Sequence, residues 1–174
     1  NHTGAYEPGD QIPFRIEAPI PDNFSNTNLT TYVMTFTDKQ DEGLALPDGV
    51  TVNVYRPIKE GDATADKAYT DSKGNEYKAI AGFEDPLVAG TDYSFTTKEA
   101  DNSFTVNFSD MKGAAAKTKD LRPGDLIVIT YTATLKADAD GYSYQNHVTL
   151  NSTDCEEQKD EDTVYNFKFE VVKV

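Results

Sequence analysis

The chain has little cysteine, histidine or positive charge, and each shortage excludes a class of site. Its 174 residues include one cysteine, Cys155, so an internal disulfide is impossible. The two histidines, His2 and His147, stand apart from each other and from that cysteine, which leaves no cluster with zinc spacing. No apolar run approaches the ~18 residues that a transmembrane helix needs. The sequence therefore predicts no metal, no cofactor and no membrane insertion.

Negative charge dominates the composition. There are 30 Asp and Glu residues against 16 Lys and Arg, which gives a formal net charge of -14. A phosphate backbone would be repelled by such a chain, so we expect no nucleic-acid partner. The sequence also lacks a G-x-S-x-G motif and paired acids on well-placed strands, and it therefore does not predict an enzyme that acts on other molecules.

What the chain does contain is aromatic residues and short alternating segments. Ten tyrosines and nine phenylalanines are too many for a disordered chain. Apolar and polar residues alternate, as in half-buried strands, in segments 12–18, 32–38, 50–54, 104–108, 126–135, 146–150 and 165–171. Many short strands between turn signals predict an all-β, Ig-like Greek-key β-sandwich, formed as a single domain over residues 1–174.

Two stretches depart from this pattern. The chain is polar and rich in Gly, Asp and Lys between Tyr55 and Tyr93, which predicts an insertion at roughly 56–93 that forms a loop or an accessory hairpin. Residues 111–120 contain three consecutive alanines and leave room for one short helix.

Two polar residues are in phase with apolar strand faces. Asp38 shares a face with Tyr32, Met34 and Phe36, because side chains on a strand switch faces at every residue. Asn146 likewise shares a face with the apolar residues that follow it in its strand. A buried carboxylate is costly unless it is paired, hydrogen-bonded or neutral. These two side chains either form a satisfied polar pair or belong to a functional site.

Most of the chain resembles the D2-type domain of sortase-assembled pilins and surface adhesins of Gram-positive bacteria, a relative of the collagen-adhesin fold. The first segment, Gly-Asp-Gln-Ile-Pro-Phe-Arg-Ile, is similar to the opening strand of that family, and Ile-Thr-Tyr-Thr-Ala-Thr-Leu is similar to a later one. The segments that carry the resemblance, in the family's order, are 9–16 with 19–23, 32–44, 123–135, and 146–150 with 163–167. The resemblance implies a collagen-adhesin type of β-sandwich.

The resemblance also implies a reaction. In that family a lysine and an asparagine join in a spontaneous intramolecular isopeptide bond, assisted by a buried acid. By position, Asp38 matches the acid and Asn146 the acceptor. An apolar site would keep the lysine amine neutral and nucleophilic, and would keep the acid protonated so that it can polarise the amide and move protons as ammonia leaves.

The lysine of this reaction has no match in the chain. The family places it on the first strand, near the Gly9-Asp10 turn, whereas the earliest lysine here is Lys39, whose strand phase turns it away from Asp38. The nucleophile therefore lies upstream of residue 1 or has been lost, and we expect the chain as given to carry no such bond. Near the other end, Lys173 resembles a lysine that links to a following domain, although it reads equally well as an ordinary edge-strand lysine.

The resemblance implies a structural module of a pilus or adhesin stalk, in contact with neighbouring pilin domains or subunits. One alternative is an adhesin module that binds host extracellular matrix or glycan, which clustered exposed tyrosines in the 56–93 insertion would favour. Another is a truncated half-site that accepts a lysine-bearing strand in trans. The expected location is extracellular, on the cell wall of a bacterium, with this chain as a fragment that lacks signal and sorting sequences.

Overall fold

Eleven strands form in the part of the chain that the computed structural model describes, residues 7–62, 66–136, 146–162 and 166–169. In chain order they are β1 (Gln11–Pro19), β2 (Met34–Lys39), β3 (Thr51–Pro57), β4 (Lys67–Thr70), β5 (Glu76–Lys78), β6 (Ser94–Lys98), β7 (Ser103–Phe108), β8 (Leu126–Thr134), β9 (Asn146–Ser152), β10 (Gln158–Asp162) and β11 (Asn166–Lys168). Short 3-10 turns lie at Asp22–Ser25, Glu99–Asp101 and Lys117–Asp120, so the short helix expected in 111–120 is a single 3-10 turn.

The strands form two sheets that face each other. The first sheet has the order β11-β1-β8-β3-β5-β4, and the second has the order β10-β9-β2-β7-β6. All pairings between these strands are antiparallel except that of β1 with β11, which is parallel. The chain crosses between the sheets at each of β1–β2, β2–β3, β5–β6, β7–β8, β8–β9 and β10–β11, and the predicted all-β sandwich is confirmed.

The core lies between the sheets and consists of the inward residues of each strand. Alternation decides which residues these are: in β2 the buried positions are Met34, Phe36 and Asp38, and in β9 they are Asn146, Val148 and Leu150. The hydrophobic members pack into one cluster, which also includes Ile80, Phe83, Leu87 and Tyr93. The second half of the predicted insertion therefore packs into the main core, and its first half alone is accessory.

The accessory half is a hairpin of β4 and β5 that extends the first sheet and covers its outer face. Leu126 and Val128 of β8 point outward and are buried against Tyr77, with Tyr55 and Tyr69 beside them. The start of β8 is a continuous apolar run because this part of the strand is buried on both faces.

A buried carboxylate anchors the hairpin to the sheet. Glu17 on the outer face of β1 is 1% exposed. It accepts hydrogen bonds from the Tyr69 hydroxyl, from the backbone N–H of Ser72 at 3.1 Å and from the Ser72 hydroxyl at 2.7 Å. Three donors from one hairpin on one buried carboxylate explain why an ionisable residue occupies this position.

The Glu17→Ala substitution is expected to release the hairpin from the sheet. It removes the shared acceptor of three donors, so we expect a loss of at least ~2 kcal/mol in the free energy of unfolding and faster protease cleavage between β4 and β5. Urea unfolding and limited proteolysis measure both effects. The matched control is Glu76→Ala in the same hairpin, whose carboxylate forms an exposed pair with Lys67. Equal effects of the two substitutions would contradict this role of Glu17.

Candidate functional site

Asp38 and Asn146 lie side by side between the two sheets. Asp38 is 1% exposed and Asn146 is fully buried. They come from neighbouring strands, since β2 pairs with β9 in a register that sets Asp38 opposite Val148. Both side chains face inward for the same reason as the apolar residues around them, namely their strand phase. The structure thus brings together the two residues that sequence analysis selected.

A third side chain, Tyr131 of β8, connects them from the opposite sheet. Its hydroxyl donates to Oδ2 of Asp38. The same hydroxyl oxygen accepts a hydrogen bond from Nδ2 of Asn146 at 3.3 Å. The result is a linear chain of hydrogen bonds from amide to phenol to carboxyl, and these three residues are called the polar triad below.

Aromatic rings surround the polar triad. Phe14 of β1 stacks on the Tyr131 ring at a centroid distance of 5.1 Å and an interplanar angle of 6°, and Phe104 of β7 meets the same ring edge-on at 4.9 Å. This apolar environment disfavours charge. Burial raises the pKa of Asp38 to about 7, against a smaller lowering effect of the Tyr131 hydrogen bond. Burial, together with the nearby Asp38 charge, also raises the pKa of Tyr131 well above its ordinary value.

Two acceptor atoms at this end of the core are buried without a hydrogen-bond partner in the described part of the chain. They are Oδ1 of Asp38 and Oε1 of Gln40. Gln40 is two residues beyond Asp38 and is 2% exposed, and its Nε2 donates to the Ala45 carbonyl at 3.0 Å. Buried polar atoms are nearly always paired in folded proteins, so two such acceptors close together in sequence need an explanation.

A tight loop after β2 fixes the orientation of the Asn146 amide. The backbone N–H of Asp41 donates to Oδ1 of Asn146 at 3.2 Å. Asn102, in the left-handed conformation at φ 50°, donates from Nδ2 to the carbonyls of Asp41 at 2.9 Å and Leu44 at 3.0 Å. Asparagine tolerates this conformation better than most residues, and here its side chain holds the loop in place. Asn146 therefore has a donor on its oxygen and an acceptor for its nitrogen.

The lysines singled out from the sequence do not enter this site in the described structure. Lys39 is exposed, on the face of β2 that points away from the core. Lys173 lies outside the described residues. Sequence reasoning also missed Tyr131, although its phase with Ile127 and Ile129 in β8 marks it as an inward tyrosine, and a buried hydroxyl needs a partner.

The tyrosines of the predicted insertion do not form an exposed cluster. Tyr77 and Tyr93 are 7% and 6% exposed. Tyr55 stacks on Tyr69 at a centroid distance of 4.8 Å, with both rings partly buried under the hairpin. In residues 7–62, 66–136, 146–162 and 166–169, no group of three or more His, Cys, Asp or Glu side chains is placed to hold a metal ion. The same residues contain no helix long and apolar enough to cross a membrane.

The arrangement of the strands matches that of a known bacterial surface protein. The backbone protein of pilus 2b from group B streptococcus superposes on this chain with a TM-score of 0.54 and 20% sequence identity. The match covers 89% of this chain and 52% of that protein. The chain has a pilus-backbone fold.

Other solved structures with similarity to the chain include two more pilus proteins. The pilus backbone RrgB of Streptococcus pneumoniae gives a TM-score of 0.49 at 22% identity, with 84% of this chain and 42% of that chain covered. Domains D2 and D3 of the major pilin SpaD of Corynebacterium diphtheriae give 0.49 at 16% identity, covering 90% and 46%. The chain thus spans about half the length of the pilus structures that it matches.

No protein-family description and no curated protein sequence matches the chain. At the identities given above, the pilus-backbone fold is established by backbone geometry alone. A fold hosts many functions, so the function has to be argued from the polar triad and its surroundings.

Proposed function

We propose that the chain is a structural module of a bacterial surface pilus or adhesin stalk, built around a Lys–Asn isopeptide site. Asp38 is its acid and Asn146 is its acceptor, and the lysine comes from a strand that the described residues do not include. The observation that carries this proposal is the burial of both side chains around one hydroxyl in an aromatic pocket. The module would act outside the cell, bearing load between neighbouring pilin domains or subunits.

The protonation states that the reaction needs are those that the pocket favours. A neutral Asp38 is favoured because burial raises its pKa to about 7. The same apolar walls would favour a neutral lysine amine, which is the nucleophilic form. The Asp41 N–H on Oδ1 of Asn146 stabilises the negative charge that develops on this oxygen when the amine attacks.

The unpartnered oxygen of Asp38 separates this proposal from a purely structural polar pair. A pair retained for stability alone would be expected to satisfy both carboxylate oxygens. Oδ1 of Asp38 instead has no partner in the described part of the chain. A donor brought in by a further strand, such as a lysine amine, would satisfy it. The matrix-binding alternative lacks a comparable observation, since the tyrosines that would favour it are packed against the fold.

A lysine scan in an added N-terminal strand tests the proposal. A strand-length extension is fused ahead of the chain, with one lysine moved through each of its positions, and intact mass is measured. We expect a loss of one ammonia for lysines in one strand phase and none for the other phase, because only alternate side chains reach the core. Absence of a mass loss at every position would overturn the proposal.

Matched substitutions assign the roles within this assay. Asp38→Ala and Asn146→Ala are expected to abolish the mass loss. Asn151→Ala is the control, since Asn151 lies on the same strand with its side chain exposed. Supplying the same lysine strand as a free peptide then distinguishes a site completed within one chain from one completed in trans.

The chain without such an extension is expected to have the mass that its sequence gives. The first strand, where the resemblance places the reacting lysine, contains no lysine, so no ammonia should be lost. Intact-mass measurement under denaturing conditions checks this expectation. A value one ammonia below the sequence mass would show that a lysine of the chain itself completes the bond.

A further inference from the structure

In the polar triad, Asp38 and Asn146 are connected through Tyr131 and not directly to each other. No direct hydrogen bond joins Asp38 and Asn146 in the described structure, and the Tyr131 hydroxyl stands between them as donor to one and acceptor from the other. The Asn146 oxygen is already occupied by the Asp41 N–H. The acid therefore reaches the nitrogen of the amide, through Tyr131, and does not reach its oxygen.

We propose that Tyr131 is a proton relay of the isopeptide site, passing the proton of Asp38 to the departing nitrogen of Asn146. This inference rests on the proposed function. The groups that flank the Asp38 carboxyl from neighbouring strands are Tyr131 of β8, Asn146 of β9 and Phe104 of β7, and Tyr131 is the titratable one among these three.

The proton balance of the step follows from the two oxygens of Asp38. A primary amine, the lysine side chain, attacks Cγ of Asn146, and the new C–N bond forms as the carbonyl oxygen becomes an oxyanion held by the Asp41 N–H. The attacking nitrogen then gives a proton to Oδ1 of Asp38. Before the attack, the Tyr131 hydroxyl donates to Oδ2 and Nδ2 donates to the hydroxyl oxygen. The attack turns Nδ2 into an amine nitrogen with a free lone pair, so both hydrogen bonds reverse, and the protonated Oδ2 then donates to the Tyr131 oxygen while the Tyr131 hydroxyl donates to Nδ2. The proton on Oδ2 passes to the Tyr131 oxygen as the Tyr131 proton passes to Nδ2 of Asn146.

Breaking the old C–N bond then releases ammonia and restores the carbonyl. Asp38 ends protonated and Tyr131 ends as a phenol, so both are regenerated. The relay also accounts for the unpartnered Oδ1 of Asp38. Tyr131 binds the other carboxyl oxygen, so Oδ1 is left to accept the proton of the amine. A phenol suits the relay since it donates and accepts through one oxygen.

The Tyr131→Phe substitution tests the relay and keeps the ring. Phe would retain the stacking on Phe14 and the edge contact with Phe104. In the lysine-extended protein we expect coupling to slow roughly 10²-fold, the usual scale for loss of a general acid. The matched control is Tyr32→Phe, which removes a buried tyrosine hydroxyl bonded to Asn23 and is expected to leave the coupling rate within threefold of the parent. Equal rates in the two variants would overturn the relay.

A second substitution keeps the hydroxyl and changes its acidity. Replacement of Tyr131 by 3-fluorotyrosine is expected to preserve coupling and to shift its pH profile to lower pH, because the more acidic phenol gives up its proton more readily. An unchanged pH profile would overturn the relay.

An NMR titration tests the relay without any amine. The ¹⁵N-labelled chain carries a His147→Gln substitution, which removes the imidazole next to Asn146. In this chain the chemical shift of the Asn146 side-chain amide should change as Asp38 ionises. Tyr131→Phe should reduce this response severalfold, whereas Tyr32→Phe should not. An unchanged response in Tyr131→Phe would overturn the relay even if coupling occurs.

The two proposals can fail separately. Absence of coupling at every scanned lysine, together with an intact titration response, would refute the proposed function and leave the connection through Tyr131 standing.

Discussion

The Asp38→Asn variant is expected to be more stable than the parent above pH 7 and to lose part of the parent's pH dependence. Burial raises the pKa of Asp38 from 3.8 to about 7. Between these two values the folded protein holds a proton that the unfolded chain has released. The contribution of Asp38 to stability therefore falls as pH rises from about 4 to about 7, and it is constant above that range.

The size of the effect is on the order of a few kcal/mol, because each unit of pKa difference corresponds to ~1.4 kcal/mol. Asparagine has nearly the same shape and carries no charge. It therefore removes the pH-dependent contribution of Asp38 to the free energy of unfolding while it fills the same space. Urea unfolding at a series of pH values measures the difference between parent and variant.

An exposed aspartate provides the control for this measurement. Asp101→Asn changes the same functional group at a half-exposed site that pairs with Lys98 on the surface, and its effect should stay within ~0.5 kcal/mol at every pH. A parent-minus-variant difference for Asp38→Asn that is flat with pH would contradict the burial argument on which the site depends.

The Arg56→Met variant is expected to lose about 3–4 kcal/mol of stability. Arg56 at the end of β3 binds Asp125 through two parallel hydrogen bonds of 2.9 Å, from Nε and Nη2 to the two carboxylate oxygens. Asp125 is 1% exposed. Removing one partner of a buried ion pair leaves an uncompensated charge, which costs more than the pair contributes. Methionine keeps much of the aliphatic volume, so the loss reports on charge and hydrogen bonding.

The contrast with an exposed pair makes this prediction specific. Lys98 and Asp101 also form an ion pair at 3.0 Å, but the Lys98 side chain is largely exposed and that of Asp101 is half-exposed. Lys98→Met should therefore change the free energy of unfolding by less than ~0.5 kcal/mol in the same urea titration. A similarly small change for Arg56→Met would contradict the interpretation of Arg56 and Asp125 as a buried ion pair.

Strand phase explains why the sequence was sufficient to find two members of the polar triad. Asp38 and Asn146 stand in regular alternation with apolar neighbours, and a period of two residues converts position directly into burial. The two-sheet architecture followed from the same alternation and the turn signals between the strands. These features are local, so a single sequence contains them.

The contacts that the sequence did not predict are those made across the sandwich or under the hairpin. Tyr131 meets Asp38 across 93 positions of sequence, and its inward phase alone does not say which residue it faces. The burial of Glu17 depends on the fold of residues 67–78 over the sheet. Phe83 and Leu87 pack into the main core. The sequence around them is polar, so their burial follows from tertiary contacts and not from a local apolar pattern.

The covalent product of the lysine-extended protein gives the most direct test of the proposed isopeptide site. Proteolysis of that product followed by tandem mass spectrometry identifies the residue joined to the added lysine. The account predicts one branched peptide in which the lysine is bonded to the side chain of Asn146, with one ammonia lost. A branch at any other residue, or no branched peptide for any lysine position, would contradict it.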